Sequence, residues 1–154
     1  MSQVADLATR IRSTRERLHA LPVSDSHEPG PPDPKTGERW DRFNVLGHTA
    51  EILPFWSREI GRALKTGSKL GREPGSMGRL EGIEGGRLLG EPALRERIDA
   101  GADEVLALLG GLTDDDLDRQ VDTYAQGQVS VRHALETFLV GHFEAHVTQL
   151  EGLP

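Results

Sequence analysis

Apolar residues near the start of the chain recur at spacings of three, four and seven, with charged residues between them. These apolar positions are Val4, Leu7, Ala8, Ile11, Leu18 and Leu21. The spacing predicts an amphipathic helix, and Pro22 ends it because proline cannot continue a helix. From there to Glu38 the chain is rich in proline, so we predict a long, partly extended connection.

Three further helices follow from the same periodicity and from their end signals. Asp41 and Ser130 are of the residue types that cap a first helical turn, Pro92 suits a first turn, and a glycine pair stops the third helix. The predicted helices run from Asp41 to about Lys65, from Glu91 to Gly110, and from Ser130 to nearly Leu153.

The remaining stretches predict loops. Residues 66–90 are dense in glycine and show no sustained period, which indicates a long surface loop with at most a short turn of helix. A short capped helix is predicted at 113–119 and a loop at 124–129, and no run alternates as a strand would. The chain is therefore predicted to be all-α, one domain over residues 1–154, folded as a four-helix bundle with long first and second connections.

Three histidines form the main candidate site. His142 and His146 lie four residues apart on an apolar helix, so their imidazoles point the same way from consecutive turns. His48 lies on the apolar side of the second helix, where a neutral polar ring needs a partner. Together they could hold one divalent cation with a coordination position left open. The alternative is three partly buried histidines that are hydrogen-bonded to carbonyl groups or water.

Two sets of charged residues could assist such a site. Glu51 lies three residues after His48, where it could accept a hydrogen bond from that ligand or act as a general base; alternatively it pairs with Arg58 or another cation. Arginines of the glycine-rich stretch could hold a carboxylate or phosphate over the site, or could simply belong to a solvated loop. These arginines are Arg72, Arg79 and Arg87.

Composition narrows the partners that are expected. With 25 acidic and 18 basic side chains the formal net charge is -7, so neither nucleic acid nor an anionic membrane is expected to bind. The chain has no cysteine, which excludes disulfides, thiolate metal ligands and a cysteine nucleophile. No apolar run is long enough to span a bilayer or to serve as a signal peptide, and a cytoplasmic location is expected.

Two segments carry a recognisable pattern. One segment is Trp40 to Glu51, with a tryptophan before a capped helix and a histidine within it, and the other runs from Ser130 to Leu150 and contains the histidine pair. Both resemble the DinB-like helical bundle superfamily, which includes the metal-binding domain of mycothiol-dependent maleylpyruvate isomerases. The isomerase relatives use a glutamate where this chain has His142, so the chain looks closer to the three-histidine members.

The resemblance implies a homodimeric bundle that binds zinc, nickel or another divalent ion through His48, His142 and His146. It also implies a metal-dependent S-transferase acting on a small electrophilic substrate. The resemblance further implies that the thiol, which a chain without cysteine does not supply, is a cofactor of the mycothiol or bacillithiol type. Two alternatives stay open at this point: a dimeric bundle that binds a metal or ligand without catalysis, and a metal-free structural dimer.

Overall fold

The computed structural model describes residues 2–73 and 75–154. Within these residues it contains five helices and one β-hairpin. Helix α1 spans Gln3–Ala20, α2 Arg42–Thr66, α3 Met77–Leu89 and α4 Glu91–Gly110. A 3-10 turn at Asp115–Asp118 precedes strands β1 (Gln120–Thr123) and β2 (Gly127–Ser130). The C-terminal helix joins Val131–Ala134, a π-helical stretch Leu135–Val140, and Gly141–Glu151.

The predicted caps of α2 and the C-terminal helix are confirmed. The Asp41 side chain accepts the Asn44 backbone N–H at 2.9 Å, and the Asn44 side chain accepts the Asp41 N–H at 3.0 Å. This reciprocal pair satisfies two donors at the start of α2. Ser130 accepts the His133 N–H at 3.1 Å. Both helices that carry the histidines therefore begin at defined residues.

The hydrophobic core lies between α1, α2, α4 and the C-terminal helix. Helix α1 packs against α4 and the C-terminal helix, and α2 packs against the same two and against α3. Fully buried side chains from every helix but α3 meet between them, among them Ile11, Leu46, Ile98 and Phe143. In the described part of the chain, no helix is both long enough and apolar enough to cross a membrane.

The prediction of a loop over residues 66–90 is wrong for its second half, which forms α3. This helix has few buried apolar residues, so its periodicity is weak, and Ser76 caps its first turn. It is stabilised instead by a very close approach to α2, where Gly82 and Gly86 lie directly against Gly47. The glycines that suggested a loop are the residues that let two helix backbones touch.

The prediction of a loop over 124–129 is also corrected, since this stretch closes a hairpin. Val121 pairs with Val129 and Thr123 with Gly127 in antiparallel register. Gly127 takes a φ of 67°, and the Thr123 hydroxyl donates to its carbonyl at 2.9 Å. The strands have four residues each, too few for an alternating pattern to stand out in the sequence.

The π-helical stretch compensates for a mismatch between the spacing of the buried residues in the C-terminal helix and the period of an α-helix. Its buried positions recur every four residues: Val131, Leu135, Leu139, Phe143 and Val147. An ideal α-helix has about 3.6 residues per turn, so this repeat would drift around the helix by about 40° at each step. One wider turn, closed by a bond from the Gly141 N–H to the Glu136 carbonyl, keeps the stripe facing the core. The histidine pair follows immediately after this turn.

Candidate metal centre

The structure brings His48, His142 and His146 together. Each offers a ring nitrogen, and these three atoms all lie within 4.8 Å of one another. His48 comes from α2 and is buried, whereas the other two lie on consecutive turns of the C-terminal helix and are half-buried. The spacing of four residues and the apolar setting of each histidine, both visible in the sequence, position the rings to face a common point.

Hydrogen bonds on the far side of two rings fix which nitrogen is available. The Nδ1 atom of His142 lies 3.2 Å from the Phe138 carbonyl oxygen, and that of His146 lies 3.0 Å from Oε1 of Gln149. Because these oxygens only accept, each Nδ1 carries the proton and each Nε2 keeps its lone pair. Metal-binding histidines are held in this way, with the second ring nitrogen donating to an oxygen.

Two ring nitrogens have no hydrogen-bond partner among the described residues, namely Nδ1 of His48 and Nε2 of His146, and both are buried. A buried polar atom without a partner costs free energy that a hydrogen bond or a metal ion would recover. Among the described residues, protein groups therefore leave these two nitrogen atoms unsatisfied, which is consistent with either a water molecule or a metal ion as their partner. Neutral imidazole is a good ligand for zinc, nickel and copper, so the donor set fits a divalent transition metal.

The electrostatics keep the three rings neutral. Burial, together with the positive charges of the neighbouring histidines and arginines, lowers the pKa of His48 to about 2. Burial also lowers the pKa of His142 to about 4, despite the opposing hydrogen bond to Phe138. The pKa of His146 is lowered too, mainly by burial. At neutral pH all three lone pairs are available to a cation.

Trp40 forms an aromatic wall beside the histidines. Its ring lies nearly parallel to that of His146, at an interplanar angle of 18° and a centroid distance of 5.8 Å, and edge-on to that of His48 at 5.0 Å. The indole N–H donates to Oε2 of Glu38 at 3.0 Å, which fixes the ring plane. The tryptophan at the start of α2 therefore contacts the candidate site directly.

Glu51 pairs with the loop arginine Arg72 instead of Arg58. Both carboxylate oxygens accept from its guanidinium, one of them at 2.6 Å, and the same guanidinium lies 3.9 Å above the Phe55 ring. The distance from Glu51 Oε2 to Nδ1 of His48 is 3.9 Å, longer than a hydrogen bond. In this arrangement Glu51 holds the guanidinium of Arg72 beside the three histidines.

The histidines open into a cavity of about 550 Å³. Arg72 and Arg79 line it, which was one of the two roles that their place in the sequence allowed, whereas Arg87 does not line it and pairs with Asp41 at 2.9 Å. The connection before α2 supplies much of the wall, a role that its proline-rich sequence does not indicate. Its lining residues are Pro31, Pro32, Asp33, Pro34, Thr36 and Glu38.

Short-range hydrogen bonds hold this proline-rich segment, residues 29–38, in place. The Asp33 carboxylate accepts the backbone N–H groups of Lys35 and Thr36 at 2.8 and 2.9 Å, and the Gly30 N–H donates to the Trp40 carbonyl at 2.9 Å. An aspartate three residues before a Thr-Gly pair is a turn signal that the sequence displays. It predicts the turn, but not that the turn covers the histidines.

No protein-family model and no curated protein matches the chain. Solved structures do match it. The mycothiol-dependent maleylpyruvate isomerase aligns with a TM-score of 0.68 at 19% identity, over 98% of this chain and 64% of that one. A histidine-to-alanine mutant of the isomerase gives 0.67 at 18%, over 98% and 61%. The colibactin self-resistance protein ClbS, in complex with double-stranded DNA, gives 0.64 at 14%, over 98% and 95%.

The chain has the DinB-like fold. The resemblance noted in two segments of the sequence is thus confirmed for the fold over 98% of the chain. Because the sequence identities are below 20%, these comparisons show the fold of the chain but not its function. The chain also spans less than two thirds of the isomerase's length, 64% of it.

The expectation that excluded nucleic acid as a partner is wrong for this fold, because ClbS is in complex with double-stranded DNA. That expectation rested on the net charge of -7. Net charge describes the whole surface and does not determine what a local cluster of basic residues can contact.

Proposed function

We propose that this DinB-like protein binds a divalent metal ion through His48, His142 and His146. The observation that carries the proposal is the meeting of three neutral imidazoles at the base of a cavity, with two buried ring nitrogens lacking hydrogen-bond partners in the described residues. Zinc and nickel are the ions of choice, since both accept imidazole ligands. With three protein ligands, one coordination position stays open to the cavity.

We further propose that the protein is a transferase that uses a low-molecular-weight thiol, of the mycothiol or bacillithiol type, on an electrophilic small molecule. A bound divalent ion would act as a Lewis acid that lowers the pKa of the thiol in the open position. The chain has no cysteine, so the nucleophilic sulfur comes from outside it. Trp40, Pro31, Pro32 and Pro34 line this space, and Glu51 holds Arg72 at its edge.

Metal analysis of protein purified without an affinity tag tests the binding step. We expect about one ion per chain in the natural protein and none in His142→Ala. His133→Ala is the matched control, because His133 lies on the same helix but is exposed and hydrogen-bonds to Gln126 at 2.6 Å. An equal metal content in the His142 and His133 variants would contradict the assignment of the site.

Catalysis needs a separate test. The metal-loaded protein is incubated with monochlorobimane and either mycothiol or bacillithiol, and the fluorescent conjugate is followed against thiol alone. We expect an accelerated rate that His142→Ala abolishes and His133→Ala retains. No acceleration, with full metal content, would favour a second candidate, a non-catalytic metal-binding protein, which is supported by the way one ion would tie α2 to the C-terminal helix.

We also propose that the protein is a cytoplasmic homodimer, because its sequence resembles the DinB-like superfamily, for which a homodimer is expected. Met77 and Leu88 on α3 are 69% and 89% exposed, which leaves apolar surface for a second copy. Light scattering coupled to size-exclusion chromatography would measure twice the chain mass of 16.9 kDa, and a single-chain mass would contradict the dimer.

A further inference from the structure

One side of α2 runs from the candidate metal centre along the cavity. His48, Ile52 and Trp56 are spaced four residues apart on this helix, and all three line the cavity. At about 1.5 Å of rise per residue, Trp56 lies about 12 Å along the helix from His48. The cavity therefore has a histidine end and an aromatic end, with the apolar side chain of Ile52 between them.

Neighbouring rings fix Trp56 at the aromatic end. Its ring stacks on that of Phe138, with 4.8 Å between the centroids and 15° between the planes, and the Phe55 ring meets it edge-on at 4.9 Å. Trp56 is nevertheless only half-buried, and it lines the cavity. A fixed aromatic surface of this kind binds a flat ring by offset stacking or by edge-to-face contact.

The connection before α2 adds apolar surface that offers few hydrogen-bond donors. Pro31, Pro32 and Pro34 line the cavity, and proline has no backbone N–H. Trp40 lines it as well, and its indole N–H already donates to Glu38 at 3.0 Å. A ligand that touches this wall meets mainly hydrocarbon rings.

Four charged side chains that line the cavity are engaged within the chain. The guanidinium of Arg72 donates to both oxygens of Glu51. The Asp33 carboxylate accepts two backbone N–H groups of its own turn, and Arg79 donates to Oε1 of Glu38 at 3.3 Å. A charged ligand would have to compete with these contacts or lie unpaired against apolar walls, whereas an uncharged ligand leaves them intact.

We propose that the electrophilic substrate of this cavity is an uncharged aromatic compound, whose ring lies on Ile52 and Trp56 while its reacting end faces the histidines. The cavity volume of about 550 Å³ is in the range of sites that bind small molecules. This inference rests on the proposed thiol transferase function and names its substrate class.

Calorimetric titration of the zinc-loaded protein with three thiols of similar length tests this assignment. The probes are 4-phenylbutane-1-thiol, whose tail is aromatic, 6-mercaptohexanoate, whose tail is anionic, and 6-aminohexane-1-thiol, whose tail is cationic. We expect the aromatic thiol to bind at least about tenfold more tightly than either charged thiol. The cationic thiol shows whether the acidic residues of the lining attract positive charge instead, namely Asp33, Glu38 and Glu73.

Two substitutions of Trp56 separate the aromatic contact from general damage to the fold. Trp56→Phe keeps a ring and should retain the preference for the aromatic thiol, whereas Trp56→Gln should reduce it to about threefold or less. Tyr124→Gln is the matched control, because Tyr124 is 66% exposed and does not line the cavity. A zinc content equal to that of the natural protein shows that the histidines of each variant are in place.

Similar affinities for the three thiols, or tightest binding of a charged one, would overturn the aromatic assignment and leave the metal function in place. A preference that is undiminished in Trp56→Gln would do the same. If the natural protein takes up no zinc, the metal function fails, and titration with 2-naphthol, an uncharged aromatic compound without a thiol, tests the assignment by itself. Saturable binding that Trp56→Gln weakens and Tyr124→Gln retains would support it, and absence of binding would overturn it.

Discussion

The ring of Trp40 stacks on the ring of His146, with 18° between their planes and 5.8 Å between their centroids. The stacking joins the start of α2 to the C-terminal helix at the candidate metal centre. Glu38 holds the indole from the other side through its N–H. A single aromatic side chain thus contacts two of the three candidate ligands, since His48 meets its edge.

This contact makes Trp40 a reporter of metal binding. Ni²⁺ held by the histidines should quench the fluorescence of Trp40 strongly, because the indole packs directly on two ligand rings. The chain has two tryptophans, and Trp56 stacks instead on Phe138 at 4.8 Å. Titration with Ni²⁺ should therefore quench a larger fraction of the emission in Trp56→Phe than in the natural protein. Stronger quenching in Trp40→Phe than in Trp56→Phe would contradict the placement of the ion.

The metal-free protein should lose stability as the pH falls below about 6.5, the ordinary pKa of histidine. The folded pKa values are lower, about 4 for His142 and about 2 for His48, because burial disfavours the charged rings. Between these values and 6.5 the unfolded chain binds more protons than the folded one, so the free energy of unfolding decreases as pH decreases.

Urea denaturation in the presence of a chelator measures this dependence at about pH 7.5 and about pH 5.5, above the range in which most carboxylates titrate. His142→Gln removes one of the titrating rings and should lose less stability between the two pH values than the natural protein. The same loss in both proteins would show that the ring of residue 142 takes up its proton as readily in the folded state as in the unfolded one.

The histidine cluster shows which part of the candidate site can be predicted from the sequence. His142 and His146 share a helix, so their relative placement follows from helical geometry. His48 lies almost a hundred residues away, and only its apolar setting and the resemblance to a known superfamily indicated that it would join them. The meeting of the three histidines was therefore predictable, whereas the Trp40 stacking depends on the relative placement of two distant helices.

The missed elements have a common physical cause. Helix α3 and the hairpin are stabilised by tertiary contacts and not by an internal apolar period. Leu70, in the loop between α2 and α3, forms an isolated bridge with Thr123 of the hairpin, so the hairpin is held by a residue more than fifty positions away in the sequence. Interactions of this kind between distant residues leave no local signal in the sequence.

A buried ion pair links α2 to α4. Arg42 donates to both oxygens of Glu91, at 2.8 and 2.6 Å, and Arg95 donates to one of them at 2.7 Å. Burial alone would raise the pKa of Glu91, but hydrogen bonds from the two arginines outweigh it and lower the pKa. The carboxylate is therefore ionised, and it compensates two guanidinium groups.

Glu91→Gln should destabilise the protein by about 3 kcal/mol, because the change leaves Arg42 buried without a compensating charge. The matched control is Glu104→Gln, which removes the partner of Arg58 on the surface at 2.7 Å. Exposed pairs are screened by water, so this variant should unfold at nearly the same urea concentration as the natural protein. Comparable losses in the two variants would argue against a special role for the buried pair.

The close contact of α2 and α3 predicts opposite effects for neighbouring glycines. A Cβ atom at Gly86 would collide with the backbone carbonyl of Phe43, which cannot rotate away. Gly86→Ala should therefore force the helices apart and cost about 1–3 kcal/mol. At Gly85, in the same helix, a Cβ atom meets nothing within 4 Å. Gly85→Ala should stabilise the protein by about 0.5–1 kcal/mol, since alanine favours helix.

Thermal or urea denaturation of the two variants measures the difference, and a loss of stability in Gly85→Ala would show that α3 does not depend on helix propensity.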